Sequence, residues 1–190
     1  MVQLIDQRFE GGAGVLEGEA IVDAKSGISG AGRGAGQAYL FTELDASTKP
    51  YGLDGHRHTP EIAQGLAEAG APDVDVTFVP HLVPQARGII ATCYARLSSD
   101  LPGNELAQLF IDTYAGAPFV HVLAAPPGSK LASGTNHAFL HVARVGSCRA
   151  VAVAAIDNLG KGAAGQAIQN MNLARGLPET AGLTALGIYP

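Results

Sequence analysis

Apolar and polar positions alternate along much of this chain in short runs. "EAIVDAKSG" (19–27) reads as a strand entering a glycine-rich loop, "SGISGAGRGAGQ" (26–37). "VDVTFVPHLVP" (74–84), "RGIIATCYARL" (87–97), "FVHVLA" (119–124), "AFLHVARV" (138–145) and "RAVAVAAID" (149–157) read as further extended segments, with "SGTNH" (133–137) as a loop. Apolar spacing of three and four replaces alternation in three places. Residues 60–69 form a predicted helix opened by Thr59 as N-cap, Pro60 in the first turn and Glu61 behind it. "NELAQLFIDTYA" (104–115) is an amphipathic helix, and a last helix covers about 162–176, ending at Gly176-Leu177-Pro178. "MVQLIDQRF" (1–9) has helical spacing but no start signal before "GGAG" (11–14) breaks it. Strands joined by short connections, with few helices, predict an α+β domain: a mixed, largely antiparallel sheet with helices on one face.

Composition narrows the setting. With 190 residues, 47% of them hydrophobic, the chain can bury a sizeable core. A formal net charge of −5 gives no bulk attraction to nucleic acid or to anionic lipid, so neither is expected as a partner, and recognition of an anion must come from a few placed arginines. Two cysteines, no charged-then-apolar leader and no apolar run of membrane-spanning length make the cytoplasm the expected compartment.

Candidate chemistry begins in the glycine-rich loop. Gly30, Gly32 and Ala35 match a short dinucleotide fingerprint, but that motif needs a strand ending in an acidic residue about 20 positions on, and "ELDASTKPYGLDG" (43–55) is polar and turn-rich. A second use of such a loop is a nest of backbone N–H groups, with Ser26, Ser29 and Arg33 reaching a phosphate or carboxylate; a plain glycine turn is the third. Cys93 shares a strand face with Ile89, Ala91, Ala95 and Leu97 and is expected to act as a small core hydrophobe; Cys148 lies in a turn. Of six histidines, only His56 and His58 are close in sequence, and they lack the i, i+4 helical placement of a zinc motif, so no metal is expected. His56 follows Gly55 in a turn, where an imidazole either titrates in a cleft or is merely solvated.

Five blocks in order, "VDAKSGISGAGR" (22–33), "HRHTPEI" (56–62), "FVPHLVPQARGI" (78–89), "SGTNH" (133–137) and "IDNLGKGAAGQAIQNMNLARGLPET" (156–180), resemble the C-terminal half of the N-acetyl-gamma-glutamyl-phosphate reductase family. That family is similar to glyceraldehyde-3-phosphate and aspartate-semialdehyde dehydrogenases. The resemblance implies an N-terminal Rossmann domain that carries NADP and a C-terminal α+β domain for substrate binding and homo-oligomerisation. It divides this chain into 1–18, a remnant of the segment after the nucleophile; 19–157, the substrate-binding and dimerisation domain; and 158–190, a helix and tail that pack on the NADP-binding domain. The family's Gly-Cys-Tyr-Pro-Thr nucleophile motif is absent from these residues, so the chain alone is expected to be inactive. Gly160 stands where the family more usually has valine, which is expected to loosen the entry to the last helix.

The same resemblance implies thiolate attack on an acyl phosphate, loss of phosphate and hydride transfer from NADPH to the thioester. His56 matches the catalytic histidine. Arg33, Arg57 and Arg87, with Ser26 and Ser29, are candidates for the phosphate and carboxylate of the substrate, or else carry solvated salt bridges. Tyr51 and Glu61 border the histidine, Glu61 serving equally well as a helix-start carboxylate. Asn158 resembles the residue that holds the nicotinamide amide; its plainer alternative is a core or capping asparagine. Two other readings stay open: a reductase of a related aminoadipyl phosphate in lysine biosynthesis, and a non-catalytic anion-binding or dimerisation module.

Overall fold

A computed structural model describes residues 16–34 and 36–188. The helical reading of 1–9 and the Ala35 position of the fingerprint lie outside the described residues.

One seven-stranded sheet organises the described residues, in the order β2-β3-β1-β4-β7-β6-β5. Its strands are β1 (Leu16–Ser26), β2 (Lys49–Pro50), β3 (Asp75–Leu82), β4 (Ile89–Leu97), β5 (Val120–Val122), β6 (Ala138–Val145) and β7 (Arg149–Ile156). β1 runs parallel to β3, and β5 to β6; the pairs β1–β4, β2–β3, β4–β7 and β6–β7 are antiparallel. The sheet is therefore mixed and largely antiparallel, as the pattern predicted. The short β2 escaped sequence reading because two residues, one of them proline, carry no alternation. Near its start β1 slips register between Glu17 and Ala20, where Gly18 takes φ +72°, a bulge that only glycine enters without strain.

Among the described residues four α-helices accompany the sheet: α1 (Phe41–Leu44), α2 (Thr59–Glu68), α3 (Gly103–Tyr114) and α4 (Gly165–Ala174). Helix α3 places Leu106, Phe110 and Tyr114 on Leu97, Leu140, Val142 and Ala150, while Leu66 of α2 packs with Ala20, Ala71 and Val74. The row Val22–Cys93–Ala152–Val142 crosses four strands on this covered face, so Cys93 points where its alternation predicted, although it is half-buried rather than sealed. The opposite face carries Ile21, Asp23, Ile90, Thr92, Tyr94, Val151, Val153 and Ala155; Ala155 is fully buried, with the 3₁₀ turn Ser129–Ala132 against β7, whereas Tyr94 is exposed.

The start of α2 differs from expectation. Thr59 is its first residue, His58 takes the cap position, and no side chain caps the helix. The Nδ1 of His56 instead accepts the backbone N–H of His58 at 3.1 Å, while Thr59 N–H donates to His56 O, so a local histidine turn replaces the threonine cap.

The last helix starts in a wider π-turn over Gly160–Ala164. α4 then buries Gly165, Gln169 and Asn172, whereas Ile168, Met171 and Leu173 of its apolar stripe are 40%, 51% and 56% exposed. Relative to the rest of the described chain this helix is inside out. Gly160 does not loosen the turn: an added Cβ would stand 2.4 Å from the carbonyl oxygen of Thr135, so glycine permits a close approach of two backbones.

Candidate functional site

Four of the candidate residues meet where β1, β4 and β7 end or begin. β1 runs out through Ser26 into a 3₁₀ turn over Ile28–Ala31, which is stitched to the segment before β4 by Gly27 N–H to Gly88 O (2.8 Å), Ile28 N–H to Gln85 O (2.9 Å) and Ser29 N–H to Ala86 O (3.2 Å). A side chain at Gly27 would collide with the Gln85 oxygen at 2.9 Å, so the glycine lets these strands close up. From β7, the buried Asn158 spans the same gap: its Oδ1 accepts the Gly88 N–H at 2.8 Å and its Nδ2 donates to Ser29 Oγ at 2.8 Å. Arg87 reaches inward from the start of β4 and pairs with Asp157, its Nη2 lying 2.9 Å from Oδ2 and 3.0 Å from Oδ1, while its Nε is buried with no partner. Ser26, Ser29, Arg87 and Asn158 are thus one assembled group.

His56, Tyr51, Arg57 and Glu61 form a second group at the β2 and β3 edge. The His56 ring lies 5.0 Å from Phe78, 5.6 Å from Tyr51 and 4.8 Å from His58, centre to centre. Burial, then His58 and Arg57, lower its pKa below the ordinary 6.5, with Glu61 opposing. The neutral ring predominates at pH 7. Because Nδ1 accepts a backbone N–H, that neutral ring must carry its hydrogen on Nε2. Burial and then Tyr39 raise the Tyr51 pKa, against the pull of Arg57. Glu61 is solvent-exposed in the first turn of α2, 4.0 Å from His58 Nε2. Phe78 stands opposite Val22, four residues short of Ser26, which puts roughly 13 Å of strand between the two groups. Arg33 is exposed and joins neither group through any contact among the described residues.

Sequence reasoning missed Asp157 and the His121–His137 pair. An aspartate closing an apolar strand has the look of any turn residue, and nothing local signals that it is 0% exposed. Burial pushes its pKa up, but the N–H groups of Gly134 and Gly160, the Arg87 guanidinium and the Leu159 N–H outweigh that and hold it below the usual carboxylate range. His121 Nε2 lies 2.8 Å from His137 Nδ1, with the His121 ring stacked on Phe139 and Lys161 over Phe119. These histidines are 16 positions apart, and only the parallel pairing of β5 with β6 brings them together.

The family model for the semialdehyde dehydrogenase dimerisation domain matches residues 12–158. The chain belongs to this family. Within the semialdehyde dehydrogenase dimerisation domain the assembled group stands at both ends of the match, from Ser26 to Asn158. The chain is 48% identical over 175 residues to the N-acetyl-gamma-glutamyl-phosphate reductase of Pelotomaculum thermopropionicum, covering 90% of this chain and 50% of that protein. It is 49% identical over 186 residues to the enzyme of the same name from Halorhodospira halophila, covering 96% of this chain and 53% of that one. The chain therefore spans about half the length of the curated relatives it matches. Among solved structures, aspartate semialdehyde dehydrogenase II from Vibrio cholerae shares the fold, with a TM-score of 0.66 at 16% identity over 92% of this chain and 58% of that one. No described helix is long and apolar enough to cross a membrane.

Proposed function

We propose that this chain is the substrate-binding and dimerisation part of an NADPH-dependent reductase that converts N-acetyl-gamma-glutamyl phosphate to N-acetylglutamate semialdehyde and phosphate in arginine biosynthesis, in the cytoplasm. The observation that carries this reading is the convergence of Ser26, Ser29, Arg87 and Asn158 at the strand ends, in a chain whose relatives bear the name of that reductase. Hydroxyls and a guanidinium suit phosphate or carboxylate oxygens; the N–H groups of Gly27, Ile28, Ser29, Gly30 and Gly88 are engaged within the protein, so the expected backbone nest does not form and side chains carry the proposed contact. Arg57 and Arg33, both exposed and without an ion pair among the described residues, are proposed as outer contacts for the same anions, with Tyr51 and Glu61 bordering the histidine.

His56 is proposed as the acid/base group. A neutral ring with its hydrogen on Nε2 is set to donate to the oxygen that gains negative charge when the acyl centre is attacked or reduced. The thiol such a reaction needs is not at this site: Cys93 sits mid-strand on β4 and Cys148 in the turn before β7, so the proposal assigns the nucleophile to chain outside these residues.

NADP is likewise proposed to be held mainly outside them. The residues at hand do not fit its dinucleotide: the glycine loop opens into a 3₁₀ turn rather than a helix N-terminus. Asn158 is the one proposed contact for the nicotinamide, through the Nδ2 hydrogen that Ser29 does not take. The outward apolar stripe of α4 supports docking of 158–190 on that cofactor-bearing body. The less covered sheet face, with half-buried Ile21, Ile90 and Val153 and the exposed Tyr94, supports pairing of two copies.

The test is to mix the chain with N-acetyl-gamma-glutamyl phosphate and NADPH, alone and with the separately produced N-terminal half of a relative, and follow NADPH absorbance. No turnover is expected from the chain alone. Activity is expected in the mixture, falling about 10² to 10⁴-fold with His56→Asn. A variant within about threefold of the parent would remove His56 from the chemistry, and turnover by the chain alone that Cys93→Ser abolishes would move the nucleophile to β4.

A further inference from the structure

The arrangement around Arg87 assigns a role to a residue that no motif marked. Asp157 is fully buried and yet ionised, because its oxygens accept the N–H of Gly134 at 2.6 Å, of Leu159 at 2.8 Å and of Gly160 at 2.9 Å. Those three donors come from two segments, the 133–137 loop and the turn that begins the π-helical stretch. They hold the carboxylate from separate directions and leave it no freedom to follow Arg87. Arg87, by contrast, sits on a long flexible side chain, 37% exposed, at the start of β4. Between a fixed partner and a mobile one, the fixed partner sets the geometry.

Asp157 uses both oxygens on a single nitrogen, Nη2, at 2.9 and 3.0 Å. The rest of the guanidinium is left over. Its Nε is buried without a protein acceptor, and a buried donor left unpaired costs free energy. The neighbouring Gly88 N–H is pinned by Asn158 Oδ1, and Ser29 Oγ by Asn158 Nδ2, so the backbone under Arg87 is held as well.

We infer that Asp157 is a positioning residue for anion binding: it turns Nη2 of Arg87 inward and so presents the remaining guanidinium donors to a phosphate or carboxylate group of the substrate. The inference rests on the anion-binding role proposed above for Arg87. Asp157 itself touches no substrate, since its lone pairs face backbone N–H groups and Nη2. Its charge also matters. A carboxylate beside the cation lowers the long-range pull on anions, so what Asp157 contributes is orientation, at the expense of steering.

The experiment is a titration of the chain with inorganic phosphate, followed by calorimetry and by ¹⁵N NMR of the arginine side chains. Arg87→Gln is expected to weaken phosphate binding about tenfold or more, as loss of a charge-assisted contact does. Asp157→Asn, confirmed folded by its amide spectrum, should weaken it by a similar factor, and the double variant should be no worse than Arg87→Gln alone. That non-additivity is what a purely structural role would not produce. If folded Asp157→Asn binds phosphate within about twofold of the parent while Arg87→Gln does not, Arg87 keeps its role and Asp157 loses the one inferred here. Phosphate binding that Arg87→Gln leaves unchanged, or a parent chain that binds none, overturns the anion-binding reading of Arg87 and the inference with it. If Asp157→Asn does not fold, the parent decides the matter. Slowly rotating, resolved Nη signals for Arg87, with an Nε–H that shifts on adding phosphate, support the inference; a freely rotating guanidinium overturns it.

Discussion

At the scale of single residues, the pKa of a histidine is shifted by groups far from it in sequence. His121 Nε2 and His137 Nδ1 share one hydrogen between them at 2.8 Å, and two protonated rings cannot keep that bond. Lys161 lies close by, over Phe119, with Glu179 the acid that faces it. Burial, then His121 and Lys161, lower the His137 pKa below its ordinary 6.5. A histidine whose pKa is depressed on folding binds fewer protons in the folded than in the unfolded chain. Its contribution is present above pH 6.5 and is lost as pH falls below that value. His56 acts in the same direction. The midpoint of urea unfolding should therefore drop between about pH 7.5 and about pH 5.5, and His137→Asn should reduce the drop. An unchanged drop in that variant would mean that His137 does not set the pH dependence.

At the scale of elements, α4 is the anomaly. Its buried positions are polar or glycine, joined by Asn136 Nδ2 to Gln169 Oε1 at 2.9 Å, Gln169 Nε2 to Glu179 Oε1 at 2.6 Å and Asn172 Nδ2 to Ala181 O at 2.9 Å. The helix is thus held by directed bonds and one tight contact rather than by an apolar seam. An added Cβ at Gly165 would lie 2.3 Å from Asn136 Oδ1 and 2.8 Å from Gly160 O, so the glycine is required. Gly165→Ala should destabilise the chain by about 1–3 kcal/mol, the usual range for overpacking, as read by urea unfolding. With its apolar side chains outward, α4 should also exchange its amides faster than β4 unless another molecule covers it. Equal protection of both in a demonstrated monomer would make α4 part of this domain's own core.

For the whole molecule, the lopsided sheet has the largest consequence. α2 and α3 cover one face; on the other, Ala155 is fully buried near the 3₁₀ turn Ser129–Ala132, while Tyr94 stays exposed. That face mixes Ile21, Tyr94, Val151 and Val153 with the polar Asp23, Lys25 and His81, whose Nδ1 is 3.1 Å from Asp23. A largely apolar face of this breadth favours association with a second copy. Sedimentation at high micromolar concentration should find a dimer, and Tyr94→Glu should shift it towards monomer with the secondary structure intact. A parent chain that stays monomeric would count against the pairing.

Local pattern alone sufficed for the strands 138–145 and 149–157, the helices near 59–68 and 103–114, and the direction of Cys93, because alternation and helical spacing are set by near neighbours. Composition and ordered motifs were enough for the family. Which candidates meet was beyond such reading, since contact across 129 positions, as from Asn158 to Ser29, depends on strand order. The same holds for the threonine that did not cap, displaced by a histidine ring two residues from the cap, and for the helix whose apolar stripe faces outward. Periodicity reveals that a face is apolar, but not what it faces. Asp157 marks the limit most clearly: one carboxylate in a turn became the buried hub of two loops and an arginine only when the sheet brought 87, 134 and 157 together.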